Sequence, residues 1–132
     1  MVTNKTAKAR GSAAEREFLH ALYEAGWGAV RAAGSGSIPL EVPDIIAGHE
    51  GRVIAVEVKV SGNSRQYFRN EEIVDLRAFA KRFSCEAWVG VKFLRKGWYF
   101  VPAHTLLSSG KNFVLSYEDA QERGRSIEQL IQ

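Results

Sequence analysis

The sequence has little of what marks a membrane protein or a disulfide-rich secreted protein. Its 132 residues include one cysteine, Cys85, so no internal disulfide can form, which favours a reducing compartment. No apolar run approaches the roughly 20 residues that a membrane helix needs, and the beginning of the chain has no secretory pattern. We therefore expect a cytoplasmic protein without a membrane partner.

The composition is that of one folded domain with a mild positive charge. Hydrophobic residues make up 45% and charged residues 25% of the chain, as in globular proteins. A net charge of +3 is too small to indicate nucleic-acid binding by itself. The basic residues are concentrated in the N-terminal half, however. This distribution suggests one phosphate-facing side, although a solvated basic surface explains it equally well.

The hydrophobic pattern predicts a mixed sheet with helices on its faces. A helix is predicted over residues 13–25, with Ser12 as its cap and Gly26 as its stop. The strongest strand signal covers residues 52–60, and a second helix ends at Phe83. The other predicted elements are strands over 28–33, 44–47, 87–94, 98–101 and 113–117, and a small helix over 126–131. The order of the main elements is therefore α-β-β-β-α-β-β.

Two charged residues end the strand of residues 52–60 on one face. Alternation directs Glu57 and Lys59 to the side opposite Val56 and Val58, and neither charge can be buried there without a partner. A solvated Glu–Lys pair on an edge strand is the simplest explanation of this tripeptide.

Asp44 favours a different explanation. It opens the strand predicted to pair with residues 52–60, and a hairpin turn at residues 48–51 brings it close to Glu57. Two carboxylates on neighbouring strands supply the oxygen ligands that Mg²⁺ prefers. Lys59 could then orient or help deprotonate a metal-bound water, or stabilise charge on a phosphate.

Glu15 has two possible roles. It lies at the margin of the apolar stripe of the first helix, so its carboxylate could be directed at the sheet. Alternatively, Glu15 and Ser12 form a capping box. One side-chain rotamer cannot do both.

The pattern Pro43-Asp44, twelve residues, then Glu57-Val58-Lys59 resembles the PD-(D/E)XK nuclease superfamily. Around it, the chain is similar to the archaeal Hjc-type Holliday-junction resolvases over roughly residues 8 to 132, in the following segments: Gly11-Ser-Ala-Ala-Glu15-Arg16-Glu17, Val30-Arg31, Pro43-Asp44-Ile-Ile, Phe79-Ala-Lys-Arg-Phe83 and Val91-Lys-Phe-Leu94 with Gly97-Trp98. The resemblance implies an α/β protein whose mixed five-stranded sheet is flanked by helices, the restriction-endonuclease-like nuclease fold. Residues 11–132 would form a single nuclease domain after a basic N-terminal arm, residues 1–10, which could be flexible.

The resemblance also implies the activity. It predicts a homodimeric endonuclease that resolves four-way DNA junctions by paired, Mg²⁺-dependent nicks in homologous recombination and repair. Mn²⁺ should be able to replace Mg²⁺, and no small-molecule cofactor is expected. The alternatives are a related repair or restriction-type nuclease on duplex DNA and a non-catalytic module that binds branched DNA.

Roles carried over from the family fall on residues that match its motifs. Asp44, Glu57 and Glu15 would bind metal, and Glu15, Lys59 and Ser35 would be catalytic. Arg10, Arg16 and Arg31 would contact DNA. A surface salt bridge is the alternative for Arg16 and Arg31, and a plain linker residue is the alternative for Ser35.

Phe79 and Phe83 match the dimer interface of the family. They belong to a wide apolar face of the second helix, which would leave a hydrophobic patch unless a partner covered it. Ordinary core packing is the alternative. A two-fold dimer would present two identical sites to the two strands of a junction.

Overall fold

The computed structural model describes residues 4–32 and 40–132. In chain order its elements are α1 (Asn4–Glu24), β1 (Gly28–Arg31), β2 (Ile45–His49), β3 (Arg52–Ser61), β4 (Arg65–Arg69), α2 (Asn70–Phe83), β5 (Glu86–Phe93), β6 (Gly97–Pro102), a 3₁₀ turn (Ala103–Thr105), β7 (Leu107–Ser109), β8 (Asn112–Ser116), α3 (Tyr117–Arg123) and α4 (Ile127–Leu130).

The central feature is a five-stranded sheet in the order β1-β2-β3-β5-β6. Its neighbours are antiparallel except for β3 and β5, which are parallel and are joined by the crossover that contains β4 and α2. This confirms the predicted mixed five-stranded sheet flanked by helices.

The β2–β3 hairpin has a tighter turn than the sequence predicted. The strands pair as far as His49 and Arg52, which leaves two residues, Glu50 and Gly51, at the turn. Both have positive φ, 46° and 86°. Positive φ at both central residues is the geometry whose twist matches that of two antiparallel strands. This turn fixes the register that places Ile45 opposite Val56.

Each face of the central sheet has its own core. On one side, Phe18 and Leu22 of α1 belong to the same buried cluster as Val56 and Val58 of β3. On the other side, Ala55 of β3 belongs to the cluster that contains the buried residues of α2, Ile73, Leu76 and Ala80. The predicted alternation along β3 is confirmed.

The first helix begins earlier than the sequence predicted. It starts at Asn4, so Ser12 lies inside the helix and cannot act as its N-cap. The predicted start and the capping box of Ser12 with Glu15 are therefore wrong. Residues 4–10 contain no proline and several alanine, lysine and arginine residues, which favour helix. Among the described residues, no helix combines the length and apolarity needed to cross a membrane.

A second, three-stranded sheet was not predicted. It has the order β4-β8-β7, and its strand β4 covers part of the segment that the sequence indicated as a polar loop. The short helix α3 was missed as well, although Ser116 caps it by accepting a hydrogen bond from the Asp119 N–H at 3.0 Å. The predicted strand near residue 113 and the final small helix are present as β8 and α4.

Gly90 of β5 lies directly against the fully buried ring of Phe100 on β6. A Cβ at this position would lie 2.8 Å from Phe100 Cδ1, too close for carbon atoms. We expect Gly90→Ala to lower the free energy of unfolding by about 1–3 kcal/mol in urea denaturation, because the core must shift. Gly11→Ala is the control: outside the helix itself, no atom of the described residues lies within 4 Å of the added Cβ, so we expect a gain of roughly 0.5–1 kcal/mol. Equal effects of the two changes would contradict this packing.

Candidate active site

The β2–β3 hairpin places Asp44 beside Glu57. Asp44 directly precedes β2, and the next pair in the register after Ile45 and Val56 would be Asp44 and Glu57. Residues paired across antiparallel strands point to the same face, here the α2 side. Asp44 Oδ2 also accepts a hydrogen bond from the Val58 N–H at 2.8 Å, which ties its carboxylate to β3. The predicted approach of Asp44 to Glu57 is confirmed.

These two carboxyl groups share an environment that disfavours two negative charges. Burial, followed by the charge of Asp44, raises the pKa of Glu57 to about 8. Burial likewise raises the pKa of Asp44, although its hydrogen bond from Val58 opposes the shift. A divalent cation would relieve the repulsion between the two charged forms.

Lys59 is held by a residue that the sequence did not indicate, Glu72. Lys59 Nζ lies 3.0 Å from Glu72 Oε1, and both side chains are partly buried. Glu72 lies in the first turn of α2, where its other oxygen accepts a hydrogen bond from the Arg69 N–H at 3.2 Å. Burial alone would raise the pKa of Glu72, but its hydrogen bond and ion pair with Lys59 lower it below its ordinary value. The one signal in the sequence was an acidic residue three positions after the N-cap residue of the helix, Arg69.

Glu15 approaches the site from α1 and is paired with Arg31. Glu15 Oε1 accepts a hydrogen bond from Arg31 Nε at 3.0 Å. Burial and the nearby charge of Asp44 raise the pKa of Glu15, and Arg31 counteracts them. The structure therefore brings Glu15 and Arg31 near Asp44, with Glu15 engaged by a cation. The roles of Glu15 as a third metal ligand and as a catalytic residue stay predictions.

A cleft of about 270 Å³ opens beside these groups and is strongly acidic. It is lined by Leu40, Glu41, Val42, Pro43, Asp44, Glu57, Arg69, Glu72, Asp75 and Leu76. In the described part of the chain, no three His, Cys, Asp or Glu side chains form a group that could bind a metal. The pair of Asp44 and Glu57 still fits Mg²⁺, because this ion is usually bound by one or two carboxylates together with waters and substrate phosphates.

The other residues named from the sequence lie in different parts of the molecule. Arg10 and Arg16 are exposed on α1. Ser35 lies outside the described residues. Phe79 is partly buried, whereas Phe83 is 51% exposed, and their rings stack with centroids 5.4 Å apart. The structure contains one chain, so the dimer interface stays a prediction.

The fold and this site define a class of protein. The mixed five-stranded sheet resembles that of a bacterial homing endonuclease, with a TM-score of 0.50 over 97% of this chain and 86% of the other. The two sequences are 19% identical, so this comparison shows a likeness of fold alone. Together with Pro43-Asp44 and Glu57-Val58-Lys59 on one hairpin, it identifies the restriction-endonuclease-like fold of the PD-(D/E)XK nucleases.

Comparison with known proteins narrows the class to one family. The model of the family described as archaeal Holliday junction resolvase (Hjc) matches residues 6–132, and the chain belongs to this family. The chain is 41% identical over 106 residues to the crossover junction endodeoxyribonuclease Hjc of Archaeoglobus fulgidus, covering 80% of this chain and 78% of that protein. It is 37% identical over 127 residues to the Hjc of Sulfurisphaera tokodaii, covering 94% and 87%. The solved structure of the A. fulgidus Hjc superposes with a TM-score of 0.85 at 34% identity, over 92% of this chain and 100% of that one.

The double role of Glu72 can be tested by its effect on stability. We expect Glu72→Ala to lower the free energy of unfolding by about 1–2 kcal/mol, because the start of α2 loses a capping partner and Lys59 loses its ion pair. Glu72→Gln keeps a capping side chain and should cost roughly half as much. Urea denaturation of the three proteins at pH 7 measures the difference. An alanine variant at least as stable as the wild type would show that repulsion from Asp44 and Glu57 outweighs both contacts.

Proposed function

We propose that this protein cuts four-way DNA junctions by Mg²⁺-dependent hydrolysis of phosphodiester bonds, with paired nicks made by a two-fold dimer. The observation that carries the proposal is the position of Asp44, whose carboxylate is tied to β3 beside Glu57 and Lys59 in a chain of the Hjc family. Purely structural carboxylates would not need to share a half-buried site at the cost of raised pKa values.

Asp44 and Glu57 are the residues that would hold the metal. Bound there, Mg²⁺ would supply an activated water and neutralise charge on a phosphate. Mn²⁺ takes the same oxygen ligands and should replace it. The chain itself contributes the ammonium group of Lys59, which is held in place by Glu72 and is suited to orient a water or to stabilise a charged oxygen. Glu15 would keep Arg31 at the edge of the site, where its guanidinium could contact phosphate.

The proposed dimer would use the end of α2. Phe83 is half-exposed and stacks on Phe79 at an interplanar angle of 15°, so the pair offers a flat aromatic surface. The groove beside this pair is also lined by Leu40, Val42 and Ala78. Covering such a surface with a second copy removes apolar area from water. A two-fold axis then presents two equal sites, as symmetric cutting requires.

The decisive experiment is cleavage of a synthetic four-way junction with Mg²⁺, with a reaction in EDTA as the control. We expect nicks in two opposite strands, at symmetric positions, and little cutting of linear duplexes with the sequences of the arms. Equal cutting of junction and linear arms would indicate a nuclease for duplex DNA instead. Binding of the junction without any cutting would indicate a module that only recognises branched DNA.

A further inference from the structure

The outer face of the second sheet carries a basic and aromatic row beside the cleft, which we call the β4 stripe: Arg65, Tyr67 and Arg69. Alternate residues of a strand share a face. Between them, Phe68 is fully buried and anchors the strand, so the stripe faces solvent. The side chain of Arg69 is 71% exposed, and Tyr67 is 48% exposed.

The positive charge of the stripe is poorly neutralised. Within the described chain, Arg65 has no ion-pair partner, and Arg69 reaches only Glu72, at 3.4 Å. The cross-strand neighbours of the stripe on β8 are Ser116, Val114 and Asn112, none of which is acidic. Two arginines are therefore available for an anion.

Arg69 connects the stripe with the active-site cleft, whose wall it helps to form. The cleft also contains Asp44, Glu57 and Glu72, so it repels a phosphodiester unless cations stand close by. Lys59 and Arg31 are already paired with carboxylates. The stripe adds Arg69 at the cleft's edge, 71% exposed and only loosely paired with Glu72 at 3.4 Å, and beyond it Arg65, which is unpaired within the described residues.

The dimensions and chemistry of the stripe suit a DNA strand. Arg65 and Arg69 are four residues apart, about 13 Å along an extended strand. Nucleotides of one DNA strand advance about 3.4 Å along the helix axis and also turn around it, so two side chains about 13 Å apart match phosphates about two nucleotides apart. Tyr67 stands between them, and tyrosine hydroxyls are regular donors to phosphate oxygens.

We propose that the β4 stripe binds the sugar-phosphate backbone of the DNA arm that leaves the active-site cleft. The identity of this DNA as a junction arm rests on the proposed function. The contact itself is independent of sequence, because arginine and tyrosine here meet phosphates and not base edges.

The test is the salt dependence of DNA binding, measured in EDTA so that no strand is cut. A four-way junction and a linear duplex of the same sequence are titrated at several salt concentrations. We expect Arg65→Gln to weaken binding about threefold to tenfold for each protomer whose stripe contacts the DNA, and to reduce the slope of log K against log salt by about 0.9 per contacting protomer. Arg65→Gln with Arg69→Gln should reduce the slope by about 1.8 per contacting protomer.

The control removes two positive charges from another surface. Arg77→Gln with Lys81→Gln changes exposed residues of α2 that lie around a different depression, next to Cys85 and His104. This pair should leave the slope close to that of the wild type, because only long-range charge is lost. Equal slopes for the stripe pair and the control pair would overturn the proposal.

A second readout locates the contact on the DNA. Neutral methylphosphonates replace single phosphates of one arm in turn. Neutralising the phosphate that Arg65 contacts should weaken DNA binding by the wild type but should not weaken binding by Arg65→Gln any further. If the effects of the substitution and of the methylphosphonate add up at every phosphate, Arg65 contacts none of them and the proposal is overturned. The alternative occupant of this face is a second copy of this chain, because Leu107 is 61% exposed in the same sheet. A change in sedimentation coefficient for Tyr67→Ala would then decide against DNA.

The stripe and the proposed function can fail separately. If the wild type cuts junctions but the stripe variants bind DNA with the same salt dependence as the wild type, only the proposed DNA contact of the stripe is overturned. A wild-type protein that binds the linear duplex through the stripe but never cuts a junction would overturn the proposed function alone.

Discussion

Asp44→Asn is expected to lower the rate of Mg²⁺-dependent junction cutting by at least about 10³-fold while leaving junction binding within about threefold. The amide keeps the size of the side chain, and its oxygen can still accept the Val58 N–H bond, so the hairpin should fold as before. It removes one of the two carboxylate ligands proposed for the metal. It also removes negative charge from an acidic cleft, which cannot weaken the approach of phosphate.

The measurement separates chemistry from binding. Single-turnover cutting with excess protein gives the rate, and titration of the junction in EDTA gives the affinity. Glu122→Gln on α3 is the control for loss of one exposed carboxylate and should cut as the wild type does. If Asp44→Asn cuts at a rate close to the wild type, the assignment of the metal site is wrong.

The metal-free protein should lose stability as pH rises from about 4.5 to about 8. The pKa of a glutamate side chain is ordinarily about 4.5, and burial and the charge of Asp44 raise that of Glu57 to about 8 in the fold. Between these values the folded protein holds a proton that the unfolded chain has released, so the free energy of unfolding falls with increasing pH. The upper limit for this one group is about 5 kcal/mol, since one pKa unit corresponds to about 1.4 kcal/mol. The raised pKa of Asp44 acts in the same direction.

Urea denaturation in EDTA at pH 5, 6, 7 and 8 measures this effect. Glu57→Gln has no proton to lose at this position, so its free energy of unfolding should change much less with pH than that of the wild type. Glu122→Gln should show the same pH dependence of stability as the wild type. Addition of Mg²⁺ at pH 8 should restore stability to the wild type more than to Glu57→Gln, because the ion favours the charged carboxylates. Parallel pH profiles for the wild type and Glu57→Gln would contradict the burial of this carboxyl group.

The sequence predicted the core of the site because short-range periodicity determines it. Residues 56–60 alternate between valine and a charged residue, so the face of Glu57 and Lys59 follows from counting. A close turn at Gly51 then brings Asp44 within reach, as the hydrogen bond to Val58 confirms. These inferences needed one hairpin and no tertiary packing.

The elements that were missed depend on longer-range contacts or on weak local signals. In β4, three polar or aromatic side chains face solvent, and a single buried residue, Phe68, was too little to distinguish a strand from a loop. Glu72 contacts Lys59 only because α2 packs against β3, so a separation of thirteen residues gave no sign of the pair. The start of α1 was placed too late because a good cap at Ser12 outweighed the helix-forming residues before it.

The uninterrupted course of α1 has a mechanical consequence. A helix advances about 1.5 Å per residue, so Arg10 stands about 9 Å ahead of Arg16 along one stiff rod whose far end is buried against the sheet through Phe18 and Leu22. Because the helix is rigid, the distance between Arg10 and Arg16 stays the same when they bind a polyanion. If Arg10 and Arg16 contact DNA as predicted, a branched DNA would have to match their fixed spacing, and junctions with a different angle between their arms would lose one of the two contacts.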